Sequence, residues 1–284
     1  MKKIILSLSM MAAVAVVVVG ATGAFFSDTE TSTGNTFTAG AIDLKIDNTS
    51  YYNSSTSPNT SWQLEDLTIE KFFNFSDVKP GDDGEDTISL HVNNNDSWLC
   101  ADVALTSNDD NGITEPEGED GDTDDGAGNG ELADHIQFMW WADDGDNVFE
   151  NNETTLPGTG GTLGALEINA TTSVALADAS RNIWDVSGPF TATSSERFLG
   201  KAWCFGNITP APLNQDGSGN AWNPAMNNDN YPGIDERDGG FVCSGASSAN
   251  NITQTDSLTA NISFYAVQSR NNDNFLCSNP RSSE

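Results

Sequence analysis

Apolar and polar residues alternate along much of this 284-residue chain. In DTISLHV (86–92) the residues Ile88, Leu90 and Val92 share one face, and in LTANISFYAVQ (258–268) Ala260, Ile262, Phe264 and Ala266 do the same. A period of two is the signature of a half-buried antiparallel strand. AIDLKI (41–46), LTIEKFFNF (67–75), WLCADVAL (98–105), LEINATTSVAL (166–176) and RFLGKAWCFG (197–206) supply five more candidates, divided by Gly, Pro, Asn and Asp turns. Seven or more such strands predict an all-β chain folded as a two-sheet antiparallel sandwich. ELADHIQFMWWA (131–142) fits a helix and a strand equally well.

Two polar stretches interrupt this rhythm and read as insertions, near 108–130 and 207–240. The first holds nine acids among the seventeen residues 109–125, with almost nothing to bury, and predicts a solvated loop unless cations hold it. The second is rich in Asn, Gly, Pro and Asp and predicts a surface excursion. One decorated β domain over 39–284 is therefore expected.

The amino terminus departs from the pattern altogether. Lys2 and Lys3 precede an apolar run (4–21), followed by the small residues Gly23 and Ala24. This is the layout of a secretory signal, with cleavage expected after residue 24. A permanent anchor is the other reading of the same run. On the signal reading, the protein touches a membrane only before cleavage and ends up outside the cell.

Charge narrows the function classes. The chain carries 42 acidic and 11 basic residues, a net charge of −31, which becomes −33 once the two leader lysines are removed. Nucleic-acid binding needs a basic footprint and is excluded as an expectation. Acid with so little lysine also suits concentrated salt, where self-repulsion is screened, so a halophilic source is expected.

Cys100, Cys204, Cys243 and Cys277 lie far apart and contain no CxxC pair, which argues against a zinc knuckle and, in an exported chain, for disulfides. Three connectivities are possible. The favoured one closes the second insertion with Cys204–Cys243 and ties an early strand to the chain end with Cys100–Cys277. Ten N-x-S/T sequons, at Asn48, Asn53, Asn59, Asn74, Asn95, Asn152, Asn169, Asn207, Asn251 and Asn261, are available to glycosylation after export.

Catalytic signatures are missing. His91 and His135 are the only histidines, Glu131 and His135 make a lone E-x-x-x-H spacing, and no G-x-S-x-G turn is present. A zincin or a serine triad lacks its ligands or its base, so no enzyme is expected. Calcium is the expected cofactor. DDGDNVFENNE (143–153) crowds Asp143, Asp144, Asp146, Asn147 and Glu150 around Gly145, which offers hard oxygens on a tight turn, although not in the twelve-residue helix-loop-helix pattern. The tryptophans at 140, 141 and 203 read as packing residues.

The residues Phe25, Phe26, Ser27 and Asp28, then Thr38, Ala39, Gly40, Ala41, Ile42, Asp43 and Leu44, then Val78, Lys79, Pro80, Gly81 and Asp82 ahead of a strand, resemble the TasA/camelysin family of proteins processed by a SipW-type signal peptidase. The match covers the first hundred residues well, the last thirty loosely and the middle hardly at all. It implies a jelly-roll sandwich at the cell surface, built into a filament or biofilm matrix as a homopolymer by donor-strand exchange. The segment 25–38, with Phe25, Phe26, Asp28 and Phe37, would then complete a sheet of the next subunit. An apolar strand on a Ser/Thr/Gly tether suits docking on an open sheet edge, and a first strand folded back in cis is the alternative. A monomeric calcium-binding or adhesive surface protein is the second functional reading. Some family members are classed as metallopeptidases, but this chain holds no motif of that kind.

Overall fold

A computed structural model describes residues 42–157, 160–192, 196–214, 239–245 and 251–279. Its main strands are β1 (Asp43–Tyr52), β2 (Asp83–Asn93), β3 (Ser97–Asp110), β4 (Ile136–Asp143), β5 (Thr172–Asp178), β6 (Arg197–Phe205) and β7 (Ser257–Gln268). One sheet runs β1-β2-β6-β4 and the other β5-β3-β7, with every pairing antiparallel and short strands at the margins. The expected antiparallel sandwich is present, with the first insertion and the described ends of the second built onto it.

The main core lies between the sheets. Ile88, Leu90 and Val92 of β2 and Leu199 of β6 meet Leu99 and Ala101 of β3 and Val174 and Leu176 of β5. The alternation read in 86–92 sets the inner row, but Glu85, Thr87 and Ser89 of the outer row are buried as well. The outer face of this sheet is covered: Met139, Trp141 and Ala202 form a second cluster with Phe149, and Ile208 and Phe241 pack against it. Trp140 and Trp141 thus point to opposite faces, and both are buried. β7 keeps the expected half-burial, with Leu258, Ala260, Ile262 and Phe264 turned inward and the alternate residues exposed.

Three sequence expectations change. Segment 67–75 is irregular rather than a strand, because Phe72 and Phe73 both turn inward, which the alternating pleat of a strand forbids. Phe75 then stacks on Tyr52 at 4.8 Å and packs on Trp203 at 5.3 Å. In 166–176 the strand begins only at Thr172, since Asn169 takes a left-handed conformation with φ 64°. Stretch 131–142 divides into a single helical turn, Leu132–His135, and then β4.

The two favoured disulfides are both formed, Cys100–Cys277 with Cα atoms 5.7 Å apart and Cys204–Cys243 at 5.5 Å. Cys100 and Cys277 are buried, and Cys277 N–H donates to Asp178 Oδ2 at 3.1 Å. The acidic insertion is folded rather than merely solvated. It contains α1 (Glu115–Asp120), opened by a capping box between Thr114 and Glu117. No described helix is long and apolar enough to cross a membrane. The leader (1–24) and the candidate donor segment (25–38) lie outside the described residues.

Gly200 sits opposite Trp141 across β6 and β4, and the indole covers its Cα so closely that a Cβ would enter the ring. Gly200→Ala is therefore expected to cost about 1–3 kcal/mol, read as a lower urea midpoint with an unchanged slope. Replacing Cys100 and Cys277 by Ser is expected to cost about 2–5 kcal/mol, measured in the same titration.

Candidate cation sites and an apolar groove

The loop after β4 turns back at Gly145 and Asn147, both with positive φ. Asp143 holds this turn from inside: its carboxylate accepts from Trp141 Nε1 at 3.0 Å, Gly145 N at 3.0 Å and Asn147 N at 3.3 Å. Glu153 staples the far side, accepting from Asp144 N at 2.9 Å and Glu150 N at 2.8 Å. These bonds leave Asp144, Asp146 and Glu150 facing one another, with one oxygen of each within 4.8 Å of the other two. Of the five residues the sequence singles out here, these three converge. Asp143 and Asn147 shape the turn instead.

Three oxygens within 4.8 Å of one another are close enough to share one cation after small side-chain adjustments, calcium taking its oxygens at about 2.4 Å. The electrostatics favour such a guest. Burial, then the neighbouring Asp143, Asp144 and Glu150, push the Asp146 carboxyl up to about 8. Burial raises Asp143 to about 7 and, with Asp143 beside it, Glu153 to about 9. Like charges held this close resist ionising unless a cation compensates them.

The second insertion clasps this loop. Phe149 N–H donates to Gly239 O at 2.9 Å, Leu213 N–H to Phe149 O at 3.1 Å, and Asn151 N–H to Leu213 O at 2.8 Å. The Cys204–Cys243 disulfide closes the base of that insertion, where Asn207–Pro210 pairs with Phe241–Ser244.

A second acidic cluster joins the first insertion to the segment before β7. Asp110, Glu117 and Asp256 also bring oxygens within 4.8 Å of one another. Glu117, fully buried, accepts from Thr114 N at 2.6 Å and Thr255 N at 2.9 Å. Burial alone would raise its carboxyl, yet these bonds outweigh it and the net shift is downward. Asp256 Oδ2 accepts from Glu131 N at 2.6 Å and Leu132 N at 2.8 Å, while burial moves its carboxyl upward. Burial and the charges of Asp122 and Asp256 lift Glu131 to about 7. Asp110 Oδ2, Asp122 Oδ2, Glu131 Oε2 and Asp256 Oδ1 are buried and accept no hydrogen bond among the described residues. Sequence spacing missed Asp256 and Glu131 because the chain brings them together from 125 residues apart.

The third feature is apolar. Cavities follow one another along the inner row of β7. One of 370 Å³ touches Leu258, Leu132 and Trp203, one of 120 Å³ touches Ala260, Ile262, Val103 and Phe138, and one of 450 Å³ touches Ile262, Phe264, Leu44, Ile46 and Leu67. The last lies between β1 of one sheet and β7 of the other. Among the described residues β7 pairs only with β3, so it is the edge of its sheet. The donor-segment residues Phe25, Phe26, Asp28 and Phe37 lie outside the described residues.

Glu117→Ala removes the acceptor for two backbone N–H groups at once. It is expected to cost about 1–3 kcal/mol, with amide exchange in α1 and at Thr255 accelerating first.

Comparison with family models and with curated proteins finds no match for this chain.

Proposed function

We propose that the mature chain is a secreted structural subunit of a cell-surface filament or biofilm matrix, a jelly-roll sandwich that polymerises by donor-strand exchange. The row of apolar cavities along the edge strand β7 carries this reading. A sandwich that buries its core completely has no use for three gaps along one edge. A strand from a second copy, inserted beside β7, fills them with alternate side chains while its backbone bonds to the edge. The segment 25–38 has the composition for it, with Phe25, Phe26 and Phe37 as the inserted groups and Ser, Thr and Gly between. Two cystines and a strongly acidic composition accord with life outside the cell in salt.

Deletion of 25–38, or Phe25→Ser with Phe26→Ser, is expected to abolish fibres of the processed protein in negative-stain micrographs while changing the monomer melting temperature little. Each phenylalanine contributes about 1.5–3 kcal/mol of burial only in the polymer. Unchanged fibres overturn the reading. A large loss of monomer stability assigns the segment to a strand folded in cis.

The carboxylate clusters support a second reading, a monomeric calcium-binding or adhesive surface protein, and the two are compatible if calcium rigidifies the subunit. Calcium at a hundredfold excess over its dissociation constant is expected to stabilise the fold by about 2.7 kcal/mol per site, seen as a higher melting temperature than in chelator. Asp146→Asn should remove the increment of the first site, and Asp110→Asn that of the second. A melting temperature indifferent to calcium, chelator and molar salt overturns the cation reading.

A further inference from the structure

Lys201 is fully buried in the middle of β6, on the inner face of its sheet. Its register partner on β2 is Asp86, 1% exposed, whose Oδ2 lies 2.5 Å from Lys201 Nζ. On the next strand, β1, Asn48 is also 1% exposed and donates from Nδ2 to Asp86 Oδ1 at 3.0 Å and to Thr60 O at 2.7 Å. The Asp86 carboxylate therefore bridges an amine and a carboxamide on the strands to either side. Three rings wall the amine in, with Nζ 5.5 Å from the centroid of Phe73, 5.7 Å from Phe138 and 5.9 Å from Phe72.

As an ion pair this arrangement is poorly satisfied. An ammonium has three protons to donate, and buried ones need directed acceptors. Lys201 Nζ makes no hydrogen bond of proper geometry among the described residues, and Asn48 Oδ1 accepts none. The 2.5 Å approach is closer than the ~2.7–2.9 Å of an ordinary charge-assisted bond.

We propose that Lys201 and Asn48 are a modification site, joined in the mature protein by an intramolecular amide bond that forms without another enzyme. Asp86 Oδ2 takes one proton from the Lys201 ammonium, and the freed amine attacks Asn48 Cγ. The Cγ–Nδ2 bond breaks, and the leaving nitrogen takes a second proton from the attacking nitrogen through Asp86. One ammonia leaves, the new amide keeps a single N–H, and Asp86 ends as a neutral acid. Charges balance before and after, and a buried ammonium and a buried carboxylate disappear together. Burial holds nucleophile, proton carrier and electrophile in place and keeps water from competing, which is where an intramolecular reaction gains most. The product would lace β1 to β6 across β2, so that three strands resist separation as one. The reaction depends on these three side chains alone and stands apart from the filament reading.

Mass spectrometry of the full processed chain tests it. The intact mass, corrected for two disulfides, is expected to fall short of the sequence by one ammonia, and proteolysis is expected to yield a branched peptide joining Lys201 to Asn48. Lys201→Met, which replaces the buried charge by an apolar chain of similar length, should fold and restore that ammonia. Full mass in the unsubstituted protein overturns the proposal. Loss of water with a branch from Lys201 to Asp86 overturns it too, and so does an ammonia loss that persists in Lys201→Met.

Discussion

Like-charge repulsion is the constraint this fold has to answer. With 42 acids against 11 bases, the chain has few cations to pair with its carboxylates. It uses backbone N–H groups instead. Asp143 and Glu153 hold the loop after β4, Glu117 and Asp256 hold the first insertion, and Asp178 accepts from Ser180, Arg181 and Cys277. Where these bonds outweigh burial, as at Asp178 and Glu117, the carboxyl moves downward. Where burial, and after it the neighbouring acids, outweigh them, as at Asp143, Asp146, Glu153 and Glu131, it moves upward.

The same constraint explains where the cysteines fall. Loops held by carboxylates alone are exposed to each other's repulsion, and each cystine closes one such region. Cys204–Cys243 pins the insertion that clasps 143–153, and Cys100–Cys277 pins the chain end against β3 and the Asp178 turn. Cations would finish the task in the two places where oxygens converge without enough N–H donors. The acidic clusters and the cystines are thus parts of one solution, and the apolar row along β7 is a separate feature built on the edge of the frame they stabilise.

Much of the sandwich was legible from the chain. A strand's period of two is a local consequence of the pleat, so Ile88, Leu90 and Val92 or Ala260, Ile262 and Phe264 announce their faces without reference to anything distant. The oxygen-rich turn at 143–153 was equally visible, because tight turns need Gly and Asn at positive φ. Its internal division was not, since choosing Asp144, Asp146 and Glu150 as the facing group depends on where Trp141 and Glu153 direct Asp143 and the backbone. Segment 67–75 misled for a related reason: its apolar residues serve two different clusters, and only the packed structure assigns Phe72 to one and Phe75 to the other.

By itself, then, the sequence determined an all-β chain, most of its strand faces and the turn that carries three facing oxygens, and it narrowed the four cysteines to three possible pairings, of which the favoured one is formed. Tertiary structure alone decided that Asp256 meets Glu131 and Asp110, and that Lys201, Asp86 and Asn48 lie side by side in the core. The physical reason is range. Faces and turns follow from dihedral and pleat geometry within a few residues, whereas convergence of side chains follows from sheet register. Register is set by summed packing across strands that the local pattern does not identify as neighbours.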